Sequence, residues 1–392
     1  MSAPPSFDFD TPVERAGTWS QRWERFRGLD AAGREILPLW VADMDFRAPP
    51  PVLEALSRRI DHGVLGYSVL PEALKEAIVG RMERLYRWQI RPDWIVMLPG
   101  VVAGLHLAVR QLTQAQDKLL LPVPVYNPFR RAAELAPRAF EAIPLACAAG
   151  THYVLDAGRM EDAFRRGARM LMLCNPQNPG GAIYGRDELA SIAALAERHD
   201  TLICSDEIHA ELVLDEDRAH IPIASLSPEI SRRTVTLMSP NKAFNIPGAG
   251  CAYAIIEDPD LRVAFSRELH GLVPDPGVFS YIGALAAYTE PASGSWLAGL
   301  IAYLRANRDV AEAELAQIEG LKAWHVEASC LAWIDARAWG LPDPTAHFLK
   351  HGLALSPGTQ FSAPGFVRLN FGTQRARLDE ALSRMREAAR AR

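Results

Sequence analysis

Three side chains able to do carbonyl chemistry each follow an apolar run in this sequence. Lys242 comes after Thr-Val-Thr-Leu-Met-Ser-Pro-Asn (234–241), Asp206 ends Leu-Ile-Cys-Ser-Asp (202–206), and Asn178 lies in Asn-Pro-Gln-Asn-Pro-Gly-Gly (175–181) behind Met-Leu-Met-Leu (170–173). Lysine is scarce, 5 of the 42 basic residues, the others being arginine. A lysine amine condenses with an aldehyde, which a guanidinium cannot do, and removal from water lowers its pKa and frees the nucleophile. Taken singly, such a lysine also fits a side chain reaching from a strand end to solvent, and such an aspartate fits a helix cap. Their serial order argues for more: strand, polar tip and helix alternate as in a parallel sheet whose carboxyl ends gather residues around a ligand.

Strands are expected at 95–98, 118–123, 139–145, 169–173, 201–205, 234–238 and 251–256, with helices at about 128–135, 158–166 and 186–199. Helical periodicity also begins at Pro49-Pro50-Pro51 and recurs at 71–88 and 101–114. The runs at 169, 201 and 234 are apolar throughout, which requires cover on both faces. The fold class is therefore α/β, a mostly parallel central sheet covered by helices, joined to a smaller α+β unit. That unit has a long helix at 296–319, strands at 330–335 and 366–371 and a final amphipathic helix at 375–390. The divisions are an N-terminal arm with part of the small unit (1–50), a large unit (51–285) and a small C-terminal unit (286–392).

The 392 residues carry a net charge of −5 with both signs interspersed, and 49% are apolar. This excludes a nucleic-acid footprint or membrane surface and points to a small-molecule enzyme. No basic, apolar leader opens Met-Ser-Ala-Pro-Pro-Ser, and no run reaches the length of a membrane span, so a cytoplasmic protein is expected. Five cysteines without Cys-x-x-Cys spacing read as buried thiols rather than disulfides or a metal site.

The three segments, with Phe-Asp-Phe-Asp (7–10), Gly-Thr-Trp-Ser-Gln-Arg-Trp (17–23), Trp-Val-Ala-Asp-Met-Asp-Phe (40–46), His-Gly-Val-Leu-Gly-Tyr (62–67), Ser-Asp-Glu-Ile-His (205–209), Lys-Ala-Phe-Asn-Ile-Pro (242–247) and Gly-Phe-Val-Arg-Leu-Asn (365–370), carry a family likeness. The chain resembles the fold-type I pyridoxal-phosphate enzymes of the aminotransferase class I/II superfamily, and most nearly the MalY/PatB cystathionine β-lyase (C–S lyase) group, along essentially its whole length. The resemblance implies pyridoxal 5'-phosphate as cofactor, bound through Lys242. Asp206 would face the ring nitrogen, Asn178 the phenolic oxygen with His209 on the same side, and Tyr126 the ring face. Ser239 and the N–H groups of Val101 and Val102, at a helix start, would hold the phosphate, joined by Tyr67 from a neighbouring subunit. Arg368 would grip the substrate carboxylate, with backbone donors from the loop of Trp40 and Ala42 completing that site.

Three positions depart from the wider superfamily: Gly180 stands where threonine is usual, Asn241 replaces serine before the lysine, and Gly250 replaces a frequent arginine. His209, in place of a tyrosine, matches the C–S lyase group. The expected activity is β-elimination from cystathionine or a related cysteine S-conjugate, giving pyruvate, ammonia and a thiol, in a homodimer with shared sites. The alternatives are an aminotransferase using the same residues, and a cofactor-bearing regulator that binds a partner protein. Glu207, beside Asp206, should face away from the site if strand alternation persists.

Overall fold

Successive side chains on a strand point opposite ways, so a strand that is apolar throughout must lie between two cores. In the computed structural model of the protein, described for residues 7–148 and 150–392, the central runs do so. Met170, Met172 and Cys204 pack with Leu105, Ala108 and Phe129 on one face, while Leu171, Leu173 and Ile203 pack with Leu189, Ile192 and Ala196 on the other. The strands are β1 (Ile95–Leu98), β2 (Lys118–Val123), β3 (Ala139–Pro144), β4 (Ala168–Cys174), β5 (Leu202–Asp206), β6 (Thr234–Met238) and β7 (Ala252–Ile255). They form one sheet in the order β1-β7-β6-β5-β4-β2-β3. Only β7 runs against its neighbours; the pairs within β3-β2-β4-β5-β6 are all parallel. Carboxyl ends therefore collect along one edge.

Helices α1 (Pro50–His62), α2 (Glu72–Tyr86), α3 (Val101–Leu112), α4 (Asn127–Leu135), α5 (Arg186–Arg198) and α6 (Val278–Thr289) accompany this sheet. Helix α6 went unread in the sequence because it packs against α1, α2 and the next helix and has no polar stripe to set its period. That next helix, α7, spans Pro291–Leu315 rather than 296–319. Pro291 serves in its first turn, where no N–H is needed, and Gly294-Ser295 lie inside the helix rather than marking its start.

A second, antiparallel sheet follows, with β8 (Lys322–Ala323), β9 (Leu331–Asp335), β10 (Ser356–Pro357) and β11 (Phe366–Asn370) in the order β8-β9-β11-β10, covered by α8 (Arg375–Arg390). The N-terminal segment joins this sheet's side of the molecule. Leu37-Pro38 pairs in parallel with Leu353-Ala354, and Asn370 N–H donates to Leu39 O at 2.9 Å. Buried Asp45 is held by Arg15 (2.8 Å), Arg22 (3.2 Å) and Arg377 (3.3 Å). Burial pushes that carboxyl up, but the three arginines outweigh it and leave the pKa below its ordinary value. Residues 1–6, where a leader was sought, lie outside the described residues. Among the described residues no helix is long and apolar enough to cross a membrane.

Candidate active site

Five loops at the carboxyl ends of β1, β2, β4, β5 and β6 meet the strap 40–42 and strand β11 around one cavity of about 450 Å³. Its wall includes Val101, Val102, Tyr126, Asn178, Asp206, His209, Lys242, Trp40, Ala42 and Arg368. Ten of the twelve side chains singled out in the sequence are thus brought together. Ser239 and Tyr67 are not.

Each wall residue has a local reason for its place. After β6 the chain turns at once: Phe244 N–H donates to Pro240 O (3.0 Å) and Ile246 N–H to Asn241 O (3.0 Å), so Lys242 projects from a tight turn. Its Nζ donates to Ala42 O at 2.5 Å. Burial lowers the pKa of this amine, a shift that the surrounding acids only partly oppose. Asp206 is the last residue of β5 and its Oδ1 accepts from Ile208 N–H at 3.1 Å. Burial raises its pKa from 3.8 to about 7, with neighbouring Glu207 adding to the shift and Lys242 opposing it. Glu207 does face away, accepting from Ser205 Oγ at 2.8 Å and meeting His220 Nε2 at 2.7 Å. This buried pair had no signal in the sequence, since His220 lies thirteen residues on.

His209 is buried, with Nδ1 unpartnered among the described residues. Burial, reinforced by the charges of Lys242 and Arg368, brings its pKa down to about 3, so the ring is neutral at physiological pH. Asn178 Oδ1 accepts from Arg368 Nη1 at 2.9 Å, which orients the amide. Gly180 has a steric cause: a Cβ there would lie 2.5 Å from the Tyr153 ring and 2.6 Å from Gln177 Oε1. Arg368 also donates to Trp40 O (3.0 Å) and stacks 4.6 Å over Phe361, and β11 is buried along its whole length rather than half solvated. Burial draws the guanidinium down to about 10, still charged at neutral pH. Tyr126 caps the start of α4 at the cavity edge.

One expectation needs correcting, the Ser239 contact, and one gains a second part: the strap 40–42, expected as a source of backbone donors, also commits the carbonyls of Trp40 and Ala42, which accept from Arg368 and Lys242. The Ser239 hydroxyl, read as a phosphate donor, instead donates to Cys251 O at 2.6 Å and accepts from Asn241 N–H at 3.0 Å, outside the cavity wall. Tyr67 lies on an irregular exposed segment with Val64, Leu65 and Val69, away from this chain's cavity. Phe361 and Ser356, which brace Arg368, were missed because only the tertiary fold carries them there.

Two cations, one carboxylate of raised pKa, a neutral imidazole and an uncapped helix start suit an anionic, planar, aldehyde-bearing ligand together with an amino-acid carboxylate. Comparison with known proteins gives the same picture. Residues 34–385 match the family Aminotransferase class I and II. Cystathionine beta-lyase PatB of Bacillus subtilis is 37% identical, over 97% of this chain and 99% of that protein. The crystal structure of OvoB superposes with a TM-score of 0.93 at 45% identity, covering 98% of this chain and 99% of that one. Cystalysin from Treponema denticola, whose structure contains a pyridoxal 5'-phosphate cofactor, superposes with a TM-score of 0.91 at 30% identity, covering 99% and 100%.

Proposed function

We infer the function from one premise: the chain belongs to the aminotransferase class I and II family. It is a pyridoxal-phosphate-dependent enzyme, a carbon–sulfur β-lyase acting on cystathionine or a related cysteine S-conjugate. When bound, the cofactor withdraws electrons from the substrate Cα.

The residues present fit that group. Lys242 offers the amine for its aldehyde carbon, Asp206 a carboxylate for the protonated ring nitrogen, and Asn178 and His209 the phenolic side. Tyr126 offers a ring face, and the N–H groups of Val101 and Val102 serve the phosphate. Arg368 holds the substrate carboxylate and so turns the Cα–H toward Lys242, whose amine, its charged form disfavoured by burial, takes the proton. The Cβ–S bond then breaks, the thiolate takes up a proton, and hydrolysis of the remaining three-carbon fragment gives pyruvate and ammonia. His209, neutral, adds no acid to the wall and holds its place by packing.

The observation that carries elimination over transamination is the near-full-length likeness to a protein named cystathionine beta-lyase. The cavity supports it: among the described residues its only lysine or arginine side chains are Lys242 and Arg368. Among the described residues, no second guanidinium or amine lines the cavity for the distal carboxylate of an aspartate or glutamate amino donor.

The enzyme works as a homodimer with shared sites, a reading supported by the exposed apolar run Val64, Leu65, Tyr67 and Val69. Five free cysteines, four of them buried, support a reducing, cytoplasmic setting. The two separate sheets support units at 51–285 and 286–392, with the arm 1–50 shared with the smaller. The test is incubation of holoenzyme with cystathionine without any keto acid. Pyruvate and thiol in equal amounts are expected; strict keto-acid dependence without thiol would establish an aminotransferase instead.

A further inference from the structure

Glu207 is a buried acid that neither lines the cavity nor pairs with a lysine or arginine among the described residues. The backbone of 206 and 207 is tied between two neighbouring strands. Asn175 N–H, just past β4, donates to Asp206 O at 3.0 Å, and Glu207 N–H donates to Leu237 O of β6 at 2.9 Å. The two side chains are thereby fixed on opposite faces, Asp206 in the cavity wall and Glu207 behind it. Three donors converge on the Glu207 carboxylate: Ser205 Oγ at 2.8 Å, Ile223 N–H at 3.4 Å and His220 Nε2 at 2.7 Å.

The surroundings choose the tautomer of His220. Its Nδ1 is buried with no partner among the described residues, and the ring stands edge-on to Tyr86 at 5.5 Å. A proton on Nδ1 would have no acceptor, so the ring keeps its one proton on Nε2, pointed at Glu207. Three neutral donors solvate a carboxylate without cancelling its charge. The acid behind Asp206 therefore stands as an anion, and its field is among those that raise the Asp206 pKa.

Resting on the cofactor reading above, we propose that Glu207 is a positioning residue for the reaction: an inner carboxylate, held by His220 and Ser205, whose charge acts through Asp206 to keep the proton on the cofactor's ring nitrogen. Two negative charges in line hold that proton more firmly than one. A ring that keeps its proton withdraws electrons from the substrate Cα more strongly. His220 and Ser205 serve the same end at one remove, since they make the buried charge tolerable.

The test uses apoprotein and holoenzyme at pH 8, above the Asp206 pKa of about 7. Glu207→Gln preserves the shape: its Oε1 still accepts from Ser205 and Ile223, and its amide donates to His220 once the ring's proton moves to Nδ1. It should weaken pyridoxal phosphate binding to the apoprotein about three- to tenfold, the scale of roughly half to one pH unit of proton affinity. The kcat should fall by a similar factor with KM within about twofold. With cofactor carrying ¹⁵N in the ring, the nitrogen resonance should show its proton lost at lower pH than in wild type. In an Asp206→Asn background the same substitution should change cofactor affinity by less than about twofold, because the carboxylate it acts through is gone. His220→Gln, which still offers Glu207 a donor, should stay close to wild type, whereas His220→Phe should share the loss. Losses of equal size in the two backgrounds would make Glu207 a structural residue and overturn the proposal, as would unchanged affinity with an unchanged ¹⁵N titration. Failure of the unsubstituted chain to bind pyridoxal phosphate would bring down the cofactor reading and this inference with it; normal binding with a silent Glu207→Gln sinks this inference alone.

Discussion

Asp206→Asn should push the apoprotein and the holoenzyme in opposite directions. The carboxyl is buried and its pKa is raised from 3.8 to about 7 chiefly by loss of water. An acid whose pKa is higher folded than unfolded binds its proton more tightly in the folded chain. Its contribution is therefore unfavourable above about pH 7, shrinks as pH falls toward 3.8 and vanishes below that. Holding it ionised at pH 8 costs the apoprotein roughly 4 kcal/mol, at about 1.4 kcal/mol per pH unit. Asparagine has the same shape, still accepts from Ile208 N–H and carries no charge. The apo variant should therefore be more stable than wild type by about 2–4 kcal/mol at pH 8, falling to less than half of that at pH 5. Denaturant unfolding of both apoproteins at the two pH values measures this. With cofactor bound the sign reverses, because a neutral amide cannot pair with a protonated ring nitrogen: affinity and turnover should both fall. An apo variant no more stable than wild type at pH 8, or a gain equal at both pH values, would refute the electrostatic reasoning. Turnover within about threefold of wild type, less than 1 kcal/mol of barrier, would refute the ring-nitrogen role.

Lys242→Ala should abolish the covalent cofactor adduct that borohydride reduction leaves on the wild-type chain; mass spectrometry finding it on Lys75, Lys118, Lys322 or Lys350 would contradict the assignment. Arg368→Ala should chiefly raise KM and lose about 2–5 kcal/mol of transition-state binding, read from kcat/KM; an unchanged KM would remove Arg368 from the substrate site. A mixture of Tyr67→Phe and Lys242→Ala subunits should exceed the summed activity of the two alone, since each hybrid dimer contains one site with both residues intact; an active monomer at high dilution rules out the shared site. His209→Gln should leave the pH profile of kcat between pH 5 and 9 without a lost or new titration, because a ring with a pKa of about 3 is already neutral there; loss of a limb near pH 6 would show that the histidine titrates in the working range.

Much of this arrangement was legible in the chain because parallel strands punctuate it. An apolar run ending in one polar residue marks a carboxyl edge, and Lys242, Asp206 and Asn178 announced themselves that way. The longer strands were read to within a residue or two and α8 to the residue, since buried runs and an amphipathic stripe both leave a period, whereas the two-residue strands β8 and β10 are too short to leave one and went unread. Helix α6 left none, being apolar on its half-exposed face as well as its buried one. The start of α7 was misplaced because Gly-Ser is a breaker only where the helix has not already begun. Polar pairings were the least legible. Nothing local says that Ser239 is spent on Cys251, that Glu207 answers His220, or that Phe361 lies over Arg368, because those choices are made by segments that meet only after folding.

The strap from Pro38 to Met44 is held by its backbone. The carbonyls of Pro38 and Asp43 accept from Arg22, that of Trp40 from Arg368 and Ser356, those of Val41 and Asp43 from Asn370, that of Ala42 from Lys242, and that of Met44 from Asn245 and Arg15. Every residue has a carbonyl, so this fastening is indifferent to the side chains at 41 and 42, whereas Trp40 Nε1 donates to Arg22 O at 3.1 Å, the Asp43 carboxylate accepts from Arg15 at 2.5 Å, and Leu39 and Met44 are buried in the core. A library varied at 41 and 42 should yield mostly folded proteins that differ in the surface they show the substrate. The same variation at Arg22, Asn245 or Asn370 should release the strap altogether. The molecule thus separates the parts that can be redesigned from the parts that grip, and the dividing line runs between peptide groups and the side chains that read them.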